Sequence, residues 1–400
     1  MHKSIKVGCC LFATICGSAV AFGETYRVAA NVTSEGDGLS WESPMSITNG
    51  IASVAKTGGE LWLKGETFLL TANMRALAPS GGAVTVRGGF AGTETAPEER
   101  AAGAKTTIDG QDLYSTFTVT CNKSVTLERI VFTRSITCGI KKTGSSAFTV
   151  RECEMTYNGR INFSDGAVSG RGLTIESGDN YITNCNISCN YAGKSSNNIG
   201  HGGITVSAAN HLYIDGTLFE RNGNAGYGGW DALSTIRAEK TVLVLRNSIF
   251  RGNRSGTGSN RGAGIIDLEM SGSGSQIQNC LFIANENTWS GTAGIINVNF
   301  SWGAANTLLV SGCTFAYNVA RPSSSATCIS VGTGTVTVKN CVFFGNLAGS
   351  GSTSGVDISV TGSSSVCNLS YSIFGGSADT KADYYKAVSG TLTPGEGIIF

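Results

Sequence analysis

The chain has 400 residues, of which 41% are apolar and 14% are charged, and its formal net charge is +1. The apolar content excludes an intrinsically disordered chain, because this much apolar surface offsets the entropy lost on folding. The 29 basic and 28 acidic side chains nearly balance, which excludes a global field that attracts nucleic acid or an anionic membrane. We therefore expect a folded protein without a nucleic-acid partner.

The chain begins with a segment typical of a signal peptide. Lys3 and Lys6 precede an apolar run that closes on Ala19-Val20-Ala21, a small-x-small pattern that signal peptidase accepts. We assign residues 1–21 to this peptide, with cleavage near Ala21-Phe22. No later apolar stretch is long enough for a transmembrane helix, so the sequence predicts a secreted or cell-surface protein without a transmembrane segment in the mature chain.

Residues 22–110 are predicted to form an N-terminal cap and the first coils of a repetitive fold. Ser43 is a candidate N-cap and Pro44 a candidate first helical residue, followed by apolar residues at helical spacing up to Gly58-Gly59. Such a helix would cover the open end of the first coil, which we place at residues 60–65.

A motif of the form Phe-x-x-Asn then recurs along residues 111–400. Its asparagines are Asn158, Asn190, Asn222, Asn253, Asn285, Asn318 and Asn346, and its phenylalanines are Phe219, Phe250, Phe282, Phe315 and Phe343. Successive asparagines are separated by 32, 32, 31, 32, 33 and 28 residues. This regularity indicates a repeat of about 31 residues, in which each repeat is one coil stacked on the last.

The residue types around the motif indicate strands. The position five residues before each asparagine is small and often cysteine, as in Cys280 and Cys313, and the position eight before it is aliphatic, as in Ile277 and Val310. These spacings predict two short strands with a bend between them. We therefore predict an all-β, right-handed parallel β-helix with a short N-terminal capping helix. The handedness follows from the general preference of parallel crossovers. We expect the repeated asparagine to adopt the left-handed conformation at a corner and to bond the same amide one coil away.

These motifs carry two resemblances. Phe-x-x-Asn alternating with Gly202-Gly203-Ile204 and with Gly262 to Ile265 resembles the repeats of the polymorphic outer-membrane proteins, a family of surface β-helices. The stretch from Tyr26 to Glu94 resembles the start of secreted bacterial proteins of the pectate-lyase-like β-helix class. The first resemblance implies a surface location. The second allows polysaccharide chemistry. We expect further sequence, an anchor or a partner beyond the apolar end at Phe400.

Ten cysteines remain after the predicted cleavage. Those in the repeated small column should stack as buried, reduced thiols, because parallel side chains must twist out of the stack to form a disulfide. A zinc site at Cys185, Cys189, His201 and His211 is disfavoured by the spacing of the two histidines. We predict no metal and no cofactor.

The best candidate site lies in the coils between residues 219 and 302. Asp267 and Glu269 are two residues apart on one predicted strand, so they should share an exposed outer face at a separation suited to acid–base catalysis. Stacking should place Arg237 on the preceding coil and Asn297 and Asn299 on the next. Glycan-stacking aromatics are expected in the flanking loops at Trp230, Trp289 and Trp302.

Two functions fit these observations. The first is an adhesive or glycan-binding surface without catalysis, with an extracellular polysaccharide or host glycan as partner. The alternative is a polysaccharide lyase or glycoside hydrolase. The outward positions Thr205, Asp267, Asn297, Ser330 and Asp357 are mostly neutral, which favours the first.

Overall fold

The structure is a computed structural model. It describes residues 23–159, 171–191, 202–223, 234–255, 264–269, 274–287, 294–298, 306–320, 326–348, 356–375 and 384–400. The predicted signal peptide, residues 1–21, lies outside these ranges.

The described chain is nearly all β-strand, arranged in four parallel sheets that we name A, B, C and D. Sheet A contains β1 (Thr25–Val28), β2 (Gly59–Lys64), β4 (Val84–Phe90), β7 (Val125–Glu128), β10 (Phe148–Arg151), β13 (Asp179–Thr183), β16 (His211–Asp215), β19 (Val242–Arg246), β23 (Ser275–Gln278), β27 (Thr307–Ser311), β31 (Thr335–Lys339), β35 (Val366–Ser370) and β38 (Thr391–Pro394). Sheet B contains β3 (Thr67–Leu69), β5 (Thr106–Asp109), β8 (Ile130–Thr133), β11 (Glu154–Thr156), β14 (Asn186–Ser188), β17 (Leu218–Glu220), β20 (Ile249–Arg251), β24 (Leu281–Ile283), β28 (Thr314–Ala316), β32 (Val342–Phe344) and β36 (Ile373–Gly375).

The remaining strands form the third side of each coil and one corner. Sheet C contains β6 (Phe117–Thr120), β9 (Cys138–Thr143), β12 (Arg171–Ile175), β15 (Ile204–Ser207), β18 (Ile236–Glu239), β22 (Ile266–Glu269), β26 (Ile296–Val298), β30 (Ala326–Val331), β34 (Val356–Val360) and β37 (Tyr385–Ala387). Sheet D contains β21 (Arg254–Ser255), β25 (Glu286–Asn287), β29 (Val319–Ala320) and β33 (Leu347–Ala348). A short 3-10 turn covers Pro97–Glu99.

Each strand pairs with its counterpart one repeat earlier and one repeat later. Strand β16 of sheet A leads to β17 of sheet B, then to β18 of sheet C, and returns to sheet A at β19, which pairs in parallel with β16. The prediction of a right-handed parallel β-helix is confirmed.

The repeated phenylalanines form a continuous stack inside the helix. Neighbouring rings from Phe219 to Phe374 are stacked in nearly parallel planes, with centroids 4.5–4.9 Å apart, and all are buried. This spacing matches the strand separation of a parallel sheet, so the ring stack and the backbone ladder share one repeat.

The repeated asparagines form a second internal stack. Asn253 is typical. Its Oδ1 accepts from the Nδ2 of Asn222 at 3.1 Å, while its own Nδ2 donates to Asn285 Oδ1 at 3.0 Å and to the Phe219 carbonyl at 2.8 Å. The same pattern links every step from Asn158 to Asn346. Each amide is therefore satisfied without water, which a buried polar column requires.

The left-handed corner lies at a different residue from the predicted one. Positive φ angles occur at the residue before the asparagine, as at Tyr317 (54°) and Arg221 (52°), and not at the asparagine itself. The asparagine side chain must point inward to reach its neighbours, and the preceding residue supplies the change of direction.

A single described helix, α1 (Ile47–Thr57), covers the N-terminal end. Its N-cap is Ser46, whose side chain accepts from Asn49 N, so the predicted cap at Ser43 is wrong. Pro44 and Met45 remain extended because Met45 pairs with β1. A Cβ at Gly50 would lie 2.5 Å from Val28 and 2.8 Å from Leu61, so only glycine permits this close packing on the first strands.

Candidate functional site

Sheet C is enclosed on both of its faces over several coils. All residues of β26, β30 and β34 are buried, as are the first three residues of β22. Because successive side chains of a strand point to opposite faces, the outward side chains here are covered as well as the core side chains. Sheet A differs, since its strands alternate between buried and partly exposed residues.

One outward column of sheet C is polar over six coils. Strand register aligns its members in the order Thr205, Arg237, Asp267, Asn297, Ser330 and Ser359. We name this set the sheet C polar column. The structure thus places Arg237 and Asn297 on the coils directly before and after Asp267.

The predicted exposure is wrong for Asp267, whereas Glu269 is partly exposed. Asp267 is 2% exposed, and its neighbours Arg237 and Asn297 are each 4% exposed. Alternation correctly places Asp267 on the side away from the core, but it carries no information about what covers that side.

Both carboxylates act as hydrogen-bond acceptors. Asp267 Oδ1 accepts from Asn297 Nδ2 at 2.9 Å, and Glu269 Oε1 accepts from Arg237 Nη2 at 3.1 Å. Arg237 also lies 3.7 Å from Glu239 Oε2. This arrangement holds the guanidinium in a fixed orientation and engages an oxygen of each candidate catalytic carboxylate.

Three buried polar atoms beside this network have no hydrogen-bond partner in the described chain. They are Arg237 Nη1, Thr205 Oγ1 and Thr235 Oγ1. Thr205 and Arg237 are register neighbours, and Thr235 lies two residues before Arg237, in the bend that precedes β18. Buried polar groups are almost always paired, so these three atoms are exceptions within the described chain.

The sequence predicts four further contact residues in these coils. Asn299, Trp230, Trp289 and Trp302 lie outside the described residues. The proposed aromatic contribution to sheet C therefore stays a prediction.

A buried carboxyl with a raised pKa lies farther along sheet C. Burial raises the pKa of Asp357 to about 7, although hydrogen bonds involving Cys328 and Asn346 oppose the shift. The Cys328 thiol lies 3.2 Å from Asp357 Oδ1. A carboxyl that titrates near neutral pH is suited to proton transfer.

The ten described cysteines are all free, as predicted for the stacked columns. Burial raises the pKa of Cys185 to about 12, which keeps this thiol protonated and unreactive at neutral pH. Within the described ranges, no group of three or more His, Cys, Asp or Glu side chains is arranged to hold a metal ion. His201 lies outside those ranges. No described helix has the length and hydropathy to cross a membrane.

Sheet A carries an aromatic group that the motif search missed. The rings of Tyr181 and Tyr213 stack with centroids 4.9 Å apart and an interplanar angle of 4°. Beside them, His211 Nδ1 lies 2.9 Å from Asp179 Oδ1, and both side chains are 41% exposed. The signal was present in the sequence, because both pairs are separated by 32 residues, like the asparagines that follow them.

Comparison with known proteins finds likenesses among solved structures alone. No family model and no curated protein matches the chain. Among solved structures, the chain is similar to pectate lyase Pel9A, with 14% identity, 93% of this chain and 79% of that chain covered, and a TM-score of 0.45.

Two other β-helix enzymes show a comparable likeness. A mannuronic acid specific polysaccharide family 6 lyase from human gut microbiota is 11% identical, with 93% of this chain and 83% of that chain covered and a TM-score of 0.38. A GH136 lacto-N-biosidase from Eubacterium ramulus is 10% identical, with 92% and 68% covered and a TM-score of 0.32. At these identities the likeness concerns the fold alone. The parallel pairing of the strands supports the resemblance to the pectate-lyase-like class as a parallel β-helix, while that to the polymorphic outer-membrane proteins stays a prediction.

Proposed function

We propose that this chain is an exported or cell-surface β-helix that binds a glycan at the sheet C polar column and does not cleave it. Export rests on the sequence of residues 1–21, and the glycan rests on the chemistry of the column.

The observation that carries the proposal is the set of unpaired atoms at Thr205, Thr235 and Arg237. Each such atom costs about 1–3 kcal/mol if it stays unpaired after burial. A guanidinium N–H can only donate, whereas the threonine hydroxyls can donate and accept. Sugar hydroxyls supply both roles at short spacing, so a glycan satisfies this set more completely than an ion or an apolar ligand.

The same geometry favours binding over catalysis. The fold already uses one oxygen of each candidate carboxylate, because Asp267 Oδ1 accepts from Asn297 and Glu269 Oε1 accepts from Arg237. Arg237 is held by Glu269 through Nη2, which leaves Nη1 as the donor for a ligand. A fixed donor beside two hydroxyls is suited to recognising the hydroxyls of a sugar.

The test uses the full chain, a panel of soluble polysaccharides, and two assays in parallel. Affinity electrophoresis measures retention, and released reducing ends and unsaturated uronates measure cleavage. We expect retention on at least one polysaccharide without cleavage. Thr205→Val should weaken that retention about fivefold to tenfold, because it removes one hydrogen bond to the ligand while preserving shape.

Thr337→Val is the matched control, because Thr337 lies half-buried on the outer side of sheet A. It should retain the polysaccharide as the parent chain does. Equal retention of the parent chain and Thr205→Val would contradict glycan binding at the sheet C polar column. If the parent chain cleaves a polysaccharide and the Asp267→Asn/Glu269→Gln variant does not, the protein is an enzyme and the binding-only proposal is wrong.

Polysaccharide cleavage remains a second candidate because of Asp357. Its raised pKa, about 7, suits a general acid. Under this alternative, Asp357→Asn abolishes any release of reducing ends and leaves retention unchanged. If the parent chain releases none, the alternative fails.

A further inference from the structure

The stacked tyrosines of sheet A end abruptly, unlike the phenylalanine stack of the core. The Phe stack continues through six coils, whereas the Tyr181–Tyr213 stack has two members. Tyr181 pairs in register with Thr149 of the preceding coil, and Tyr213 pairs with Val244 of the following coil. A threonine side chain is much shorter than a tyrosine ring, so Thr149 leaves most of one face of Tyr181 uncovered.

The coils before Tyr181 present a flat strip. Strand register aligns Thr85, Thr126 and Thr149 on successive coils, all half-buried on the outer side of sheet A. Adjacent strands lie about 4.8 Å apart, so the strip is about 10 Å long from Thr85 to Thr149. The face of Tyr181 closes one end of this strip.

Hydrogen-bonding groups flank the strip near the tyrosine. Arg151 lies on one side, with Nε donating to Glu128 at 2.8 Å and its side chain 43% exposed. Glu128 also accepts from Arg87 and Arg100. Burial alone would raise the pKa of Glu128, but its hydrogen bonds from Arg100 and Arg151 and the charge of Arg87 outweigh burial and lower it. The ion pairs therefore hold Arg151 in place.

The other side carries the Asp179 carboxylate, oriented by His211 and 41% exposed. An aromatic face between a fixed donor and a fixed acceptor matches a pyranose ring, which offers an apolar C–H face and hydroxyls at its edge. Arg151 carries a positive charge on one side of the strip, and Asp179 carries a negative charge on the other. These opposite charges favour a neutral sugar over a charged one.

We propose that the face of Tyr181 above Thr149 is a second glycan site that stacks a neutral pyranose unit, with Arg151 and Asp179 bonding its hydroxyls. The proposal rests on the glycan binding inferred for sheet C, but its residues lie on a different face of the helix. Such a second site would hold a long polysaccharide at two points and raise its avidity without new contacts at the first.

Isothermal titration of the full chain with cellohexaose, xylohexaose, mannohexaose and tetragalacturonate tests this site. We expect binding of a neutral hexasaccharide that changes less than about twofold between 50 and 500 mM NaCl, because no net charge is recognised. Tyr181→Ala should weaken it about tenfold, equivalent to about 1.4 kcal/mol. Tyr181→Phe should keep it within about threefold, because the ring face remains.

Tyr317→Ala is the matched control, because Tyr317 is 56% exposed and lies at a corner outside sheet A. Thermal unfolding of each variant confirms that the fold is kept. Unchanged affinity in Tyr181→Ala, with loss in Thr205→Val, would overturn this site and leave the proposed function intact. Weaker binding by Tyr181→Ala with unchanged binding by Thr205→Val would support the Tyr181 site and overturn glycan binding at the sheet C polar column. Absence of binding to every sugar would overturn both.

Discussion

Sheets A and C are built from the same repeat, yet their outward side chains differ in exposure to solvent. In sheet A the outward residues are in contact with solvent, as at Asp215 and Arg246, which are exposed. In sheet C the outward residues Arg237, Asp267 and Asn297 are at most 4% exposed. A charged side chain on the outer side of sheet A stays hydrated when the chain folds. A charged side chain on the outer side of sheet C loses its water and must be paired by the protein or by a ligand.

The largest expected effect comes from two matched aspartates. Asp215 and Asp267 each accept from an asparagine on the following coil, at 2.7 Å from Asn247 and 2.9 Å from Asn297. We expect Asp267→Ala to lower the free energy of unfolding by about 3–5 kcal/mol, because it disrupts a buried charged network. Asp215→Ala should cost less than about 1 kcal/mol.

Urea unfolding of the two variants beside the parent chain measures the difference. The comparison between the sheets is broken if the two losses agree within about 0.5 kcal/mol. A small loss of stability in Asp267→Ala together with a large loss in Asp215→Ala would contradict the assignment of the buried charges to sheet C.

The next effect is a pH dependence that belongs to sheet C. The pKa of Asp357 is about 7 in the folded chain, above its value of about 3.9 in an unfolded chain. A raised carboxyl pKa means that the folded state binds the proton more tightly. Stability should therefore fall as pH rises from about 4 to 7, by about 1.4 kcal/mol per unit, and level off above pH 7.

Asp357→Asn should remove this slope. Unfolding of both proteins at pH 5, 6, 7 and 8 isolates the contribution, since other titrating groups are common to both. A slope of the same size in the variant would show that Asp357 is not its source.

Sequence was a good guide wherever the repeat constrains the side chain. The Phe and Asn columns could be predicted because each member touches its own copy one coil away, so the pattern recurs in the sequence. The exposure of Asp267 could not, because alternation tells which residues point away from the core and nothing about a covering layer. The Tyr181–Tyr213 pair was within reach, since it lies nine residues before Asn190 and Asn222 in the same alignment.

The smallest effect has the opposite sign. Thr205 carries a hydroxyl that is buried without a partner in the described chain, so in the absence of ligand Thr205→Val should raise the free energy of unfolding by about 1 kcal/mol. Thr337→Val, on the partly exposed side of sheet A, should change it by less than about 0.5 kcal/mol, since that side chain is partly accessible to solvent. Thermal unfolding without added glycan measures both. A stabilised Thr205→Val that also binds glycan more weakly would show a binding group maintained at a cost in stability. A destabilised one would mean that the hydroxyl serves the fold, and the contrast between the two sheets would then concern only charged residues.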